Sequence, residues 1–242
     1  MQKNIIKYVL RDNVKGLLIM FSIIIVIIGG GGVAMTVNDK LLINANGWEL
    51  TAIIYMFCSV LASADEYTRY FTQNGFSRKT IFENFIVSYT ILAFALMVFT
   101  QIACAVSALI YGSAESATFA EYLYLGTGSV NLFNVGIWLW LLLILSACLG
   151  YAIGAFYAAA NKAAKIAVSV SVPVFFTIAL PIMDTVLFQS KVFSFIYKGF
   201  SLLLGFYQGS YYIWLSAGSL LILSGIILSI VYPAFIRRRN FS

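Results

Sequence analysis

Apolar residues in this chain come in long runs with almost no charge, and short polar blocks separate the runs. An uncharged run of about 20 residues is enough to cross the hydrocarbon core of a bilayer as a helix. The alternation therefore predicts an all-α membrane protein with six transmembrane helices, at 17–37, 49–64, 81–110, 133–160, 166–188 and 211–236. The whole of 1–242 reads as a single transmembrane domain.

Between the runs, three segments carry a pattern of their own. In 1–16, Lys3, Lys7, Arg11 and Lys15 recur at helical spacing, with Ile5, Ile6, Val9 and Leu10 mostly on the other side. That pattern predicts an amphipathic helix lying in the membrane interface, with its bases toward headgroups. In 65–80 the block DEYTRYFTQNGFSRKT continues the second helix until Asn74-Gly75 stops it, because glycine readily takes the left-handed conformation at a helix end. Ser77 can then cap the next helix with Phe76 stapled onto Ile81, or Thr80 and Glu83 can form a capping box. In 189–210, Lys191, Lys198 and several glycines interrupt the apolar character, which predicts short helices dipping into the outer leaflet.

Within the spans, glycines and prolines punctuate the pattern. Ser146, Gly150, Gly154 and Ala158 recur every four residues, a small-residue stripe that lets a second helix approach closely. Pro173 and Pro181 interrupt the fifth run and leave carbonyls without their usual donors. Gly29 to Gly32 sit in the first span without the Lys-Ser/Thr of a phosphate loop, and are read as thinning or loosening that helix. Gln101, alone in the third span, is expected to hydrogen-bond to another helix.

Composition narrows the function. The chain is 62% hydrophobic and 10% charged. Those are too few charges to cover a soluble domain. Its formal charge of +6 comes from bases that flank the spans, so it sets orientation and gives no nucleic-acid patch. With both ends inside, Lys3, Lys7, Arg11, Lys15, Arg69, Arg78, Lys79, Lys162, Lys165 and Arg237 to Arg239 face the cytoplasm, against Lys40, Lys191 and Lys198 outside. That predicts a multi-pass cell-membrane protein with cytoplasmic termini. The chain has no histidine, no HExxH and no GxSxG, so no catalytic, cofactor or metal residue is assigned and the chain is not read as an enzyme. Cys58, Cys104 and Cys148 each lie alone in apolar runs and are read as buried small hydrophobes. Asp65 and Glu66 sit at a helix end. Asp184 lies near the outer end of the fifth span, where it can line a path or reach the interface.

The corner is the most informative segment. Tyr70, Phe71, Asn74, Gly75, Phe76, Ser77, Arg78 and Lys79 would form its tip. Aromatics with arginine are enriched where proteins dock, and also in the membrane-interface belt, so the tip fits either. Together with the basic first helix, the six spans, the tight turn Asn161–Lys162–Lys165 and the outer segment before the last span, this NGFSRKTIF turn resembles the ABC-2 type permease, the transmembrane subunit of many ABC exporters. The resemblance is nearest to the small permeases of antimicrobial-peptide immunity and phenol-soluble-modulin export.

That resemblance implies a coupling helix between spans 2 and 3 that docks on a separate ATP-binding subunit, with 161–165 as a second cytosolic contact. ATP and Mg would be bound by that partner, none by this chain. Two permeases, identical or homologous, would combine with two ATPases, and amphipathic or hydrophobic peptides would be moved out along a path including Tyr55, Phe175, Phe176 and Asp184. A secondary transporter or channel and a non-transporting membrane subunit are the alternatives. The first normally shows paired intramembrane charges, which are scarce here.

Overall fold

A computed structural model describes residues 2–37, 47–111, 131–175, 181–182, 191–207 and 210–237. These are almost wholly helical: α1 (Gln2–Val37), α2 (Trp48–Gln73), α3 (Arg78–Tyr111), α4 (Leu132–Ala159), α5 (Lys162–Val174), α6 (Lys191–Leu203) and α7 (Ile213–Arg237). A two-residue antiparallel pair, β1 (Phe206–Tyr207) with β2 (Ser210–Tyr211), leads from α6 toward α7. Among the described residues, five helices (α1, α2, α3, α4 and α7) are long and apolar enough to cross a membrane.

Helix α3 sits at the centre and touches α1, α2, α4 and α7, while α4 packs on both α2 and α7. Met56, Val60, Leu96, Trp138, Leu139, Leu143 and Leu220 fill the core between them. Trp138 Nε1 donates to Ser216 Oγ at 2.9 Å. That bond satisfies a buried donor that the hydrocarbon could not. Nearer the far end, Trp48 Nε1 does the same with Ser107 Oγ, also at 2.9 Å. Glu49, in the first turn of α2, is buried there, at the end where the helix dipole favours a carboxylate.

Helix directions follow from side-chain partners. Tyr8 lies beside Tyr70 and Asn13 beside Ser59, so α1 and α2 are antiparallel. Phe82 meets Tyr151 while Trp140 bonds to the Thr90 carbonyl, so α3 and α4 are antiparallel. Trp138 pairs with Ser216 and Cys148 with Ser224, so α4 and α7 run parallel. Consequently α1 and α3 point one way, and α2, α4 and α7 the other.

Several expectations need correction. The amphipathic segment 1–16 is no separate helix: α1 is continuous over 36 residues. Ile5, Val9, Asn13, Leu17, Ile24 and Ile28 form one buried stripe along it, so the apolar side of the basic segment packs on protein and is not left for the lipid interior. No proline or strong breaker lies at the expected junction, where Gly16 alone does not end the helix. Gly29 and Gly30 have nothing near the position of a Cβ among the described residues, so they create no close approach to these. Cys58 is exposed, unlike Cys104 and Cys148. The fifth run is described as the 13-residue α5 and a short remainder, and most of 176–190 lies outside the described residues.

Candidate functional site

The end of α2 is built as its residues dictate. Gly75 takes φ +80, which lets the chain reverse out of the helix. Its N–H donates to the Thr72 carbonyl at 3.0 Å, and the Phe76 N–H donates to the Phe71 carbonyl at 3.1 Å. These two bonds are the Schellman pattern. The accompanying apolar contact is Phe71 against Phe76, edge to face with centroids 5.9 Å apart. Ser77 then caps α3, as serine does well. Its Oγ accepts from the Thr80 N–H at 3.2 Å. Glu83 takes no part in a capping box and lies 3.9 Å from Lys79. The corner is thus a four-residue turn, 74–77, between two long helices, with no separate helix in between.

The corner projects beyond the apolar part of the bundle. Asp65 and Arg69 form an exposed pair at 2.9 Å. Charges of this kind do not sit in lipid, so α2 leaves the hydrocarbon near Ala64. The helix continues from there to Gln73. At 1.5 Å per residue that stretch adds about 14 Å. Such a protrusion needs support, and α1 supplies it. Tyr8 stacks on Tyr70 at 5.0 Å and meets Phe71 edge to face at 5.6 Å. Tyr67 packs against Phe85 of α3.

Beneath this aromatic cluster lies a buried polar network joining three helices. Asn13 Nδ2 donates to the Val9 carbonyl at 2.8 Å and to the Tyr67 and Tyr89 hydroxyls at 3.3 and 3.5 Å. Ser59 Oγ donates to Asn13 Oδ1 at 2.5 Å, and Ser63 Oγ shares a hydrogen with the Tyr89 hydroxyl at 2.5 Å. The Tyr67 hydroxyl donates to the Asp12 carboxylate. Tyr55 donates to the Asn13 carbonyl at 3.3 Å. Sequence reading misses this network. Its only local trace is the pair Asp12-Asn13 inside an apolar stripe; the remaining partners come from other helices.

The expected tip residues divide. Tyr70, Asn74, Gly75, Ser77 and Lys79 are exposed, and Phe76 and Arg78 are half-buried. Phe71 is 4% exposed, so it holds the corner together and is not presented to a partner. Asn161 takes the capping position of α5. Its Oδ1 accepts from the Ala164 N–H at 2.8 Å. Lys162 is exposed and Lys165 half-buried. Because α4 runs antiparallel to α3 and alongside α2, with Gly154 beside Ala64, this turn lies at the same end of the bundle as the corner.

The small-residue stripe faces α2. Ser146 Oγ donates to the Ile53 carbonyl at 2.9 Å, and a Cβ on Gly150 would stand 2.7 Å from the Phe57 carbonyl. A Cβ on Gly154 would stand 2.9 Å from that of Ala64. Ala158, one turn on, is half-buried. Of the expected substrate path, Tyr55 and Phe175 are among the described residues. Tyr55 turns toward α1, where it lies against Gly16, while Phe175 is exposed at the end of α5. Phe176 and Asp184 lie outside the described residues. Among the described residues, no group of histidine, cysteine or carboxylate side chains could hold a metal ion.

No known protein family, curated protein or solved structure matches the chain.

Proposed function

We propose that the chain is the membrane-spanning subunit of an ATP-driven ABC exporter, energised by a separate ATP-binding subunit and acting as a pair of permeases with a pair of ATPases. The observation that carries the reading is the corner: a turn closed at both helix ends, held clear of the hydrocarbon and braced by α1. A motor that transmits force through a contact needs a lever that does not give. A Schellman turn, a serine cap and an aromatic stack supply that stiffness. Exposed Tyr70, Asn74 and Lys79 offer the contact chemistry, and Lys162 adds a second point at the same end.

The parallel course of α4 and α7 supports a sixth crossing. If both cross the membrane, the chain between them must return across it once, and 162–188 is the apolar run placed to do so. The cytoplasm then lies at the corner end, where Lys7, Arg11, Arg69, Lys79 and Lys162 gather, and both termini are cytoplasmic. A scarcity of charge in the described spans fits ATP coupling better than coupling to an ion gradient. Amphipathic or hydrophobic peptides are the cargo this proposal assigns.

The test is a double variant, Lys79→Glu with Lys162→Glu. Both side chains are exposed, so the protein should remain folded in the membrane while ATPase binding and peptide export fall at least tenfold. Wild-type export by that variant would contradict the docking role.

A further inference from the structure

A groove of about 670 Å³ opens between α3 and α4, well away from the corner. Small-molecule pockets span roughly 300–1,000 Å³, and this groove falls within that range. Phe94, Met97, Phe133 and Trp140 are among the residues that make its walls almost wholly apolar. One group breaks the pattern: Gln101 Nε2 is buried at the groove and donates to no acceptor among the described residues. Gly136 faces it. A Cβ there would lie 3.4 Å from Met97 Sδ and 3.9 Å from Gln101 Nε2, so the glycine keeps the groove open beside the amide.

The depth of the amide identifies what would satisfy it. Helix α4 has 28 residues. At 1.5 Å per residue its length is about 42 Å. Centred on a hydrocarbon core of about 30 Å, it leaves roughly four residues beyond each edge. Gly136, the fifth residue of α4, then lies at the hydrocarbon edge of the leaflet opposite the corner. Gln101 shares that level. The ester carbonyls of phospholipids sit at this edge, with their chains running inward. From Gln101 the groove continues inward to Phe94 and Trp140, whose rings meet edge to face at 5.9 Å. The Trp140 Nε1 already donates to the Thr90 carbonyl at 3.2 Å, so the inner part offers hydrocarbon contact.

We propose that this groove is a phospholipid site, in which one acyl chain lies between α3 and α4 and its ester carbonyl accepts a hydrogen bond from Gln101 Nε2. A peptide would fit less well, because each buried peptide unit needs both a donor and an acceptor and the groove has a single amide to offer. A single ester needs one donor only. The proposal is independent of any ATPase partner.

The experiment uses the full chain in nanodiscs of phosphatidylcholine doped with a phosphatidylcholine that carries a photoreactive diazirine on one acyl chain. Labelled residues are mapped by mass spectrometry. Residues 94–105 and 132–140 should be labelled above the lipid-exposed face of α1 at Ile19, Ile23 and Ile27. Gln101→Leu removes the donor without leaving a buried polar group, so its thermal stability should hold while groove labelling falls about 2- to 10-fold, the worth of one hydrogen bond. Gly136→Phe should fill the groove and abolish the excess labelling. Equal labelling of α1 and the groove would mean ordinary boundary lipid and would overturn the proposal. So would labelling unchanged by Gln101→Leu, or a groove shielded from label by a second copy of the chain.

Discussion

Gly150 and Gly154 differ from Gly29 and Gly30 in what surrounds them, and so should their substitutions. At Gly150 the neighbour of a new Cβ is backbone, the Phe57 carbonyl, which cannot swing aside. Gly150→Leu should therefore push α4 off α2 and cost about 1–3 kcal/mol or more, as overpacking does. Gly30 has open space around it. Gly30→Ala should therefore be neutral or should stabilise the helix by about 0.5–1 kcal/mol. Thermal unfolding in detergent distinguishes the two, and equal effects would contradict the packing assigned to α4. Asn13 is the other position where a single side chain matters, since it links α1, α2 and α3. Tyr67 and Tyr89 each keep a second partner without it. Asn13→Leu should therefore cost only about 1–2 kcal/mol, the worth of hydrogen bonds between membrane helices.

The corner is the element where local chemistry decides most. Gly75 holds φ +80. Gly75→Val forces a β-branched residue into that left-handed region and should destabilise the turn by about 1–2 kcal/mol. Ser77→Ala should cost about 1 kcal/mol through the lost cap. Limited proteolysis at 73–79 would reveal the loosened turn in both variants, while an unchanged cleavage rate would argue against a rigid corner. Here the sequence is readable, because glycine stops, serine caps and four-residue stripes act within one or two turns of helix. The first helix is harder to read. A basic amphipathic pattern is the same whether its apolar side meets lipid or protein, and only the position of α2 and α3 decides that Ile5 and Val9 are buried by protein. Gln101 is hard for the same reason: an amide in a span signals a partner, but its unbonded Nε2 is visible only once α4 brings Gly136 opposite it. Phe71 reads as a tip residue because its neighbours in sequence are polar, whereas Tyr8 and Phe76 enclose it.

At the scale of the whole molecule, helix direction carries the argument. Helices α2, α4 and α7 run together against α1 and α3, which gathers the corner, the α4–α5 turn and the start of α1 at one end. Cysteines introduced at Lys79 and Lys162 should react with an impermeant thiol reagent only from the cytoplasmic face, and one at Lys198 only from the outside. Labelling of Lys162→Cys and Lys198→Cys from the same face would remove the sixth crossing. The central claim is that the corner receives a motor, and its most direct test is purification of the chain from its native membrane in mild detergent. The account predicts an ATP-binding subunit recovered in equal amount, and its loss from the Lys79→Glu, Lys162→Glu variant. A chain that is stable, active in transport and recovered without any ATPase would contradict it.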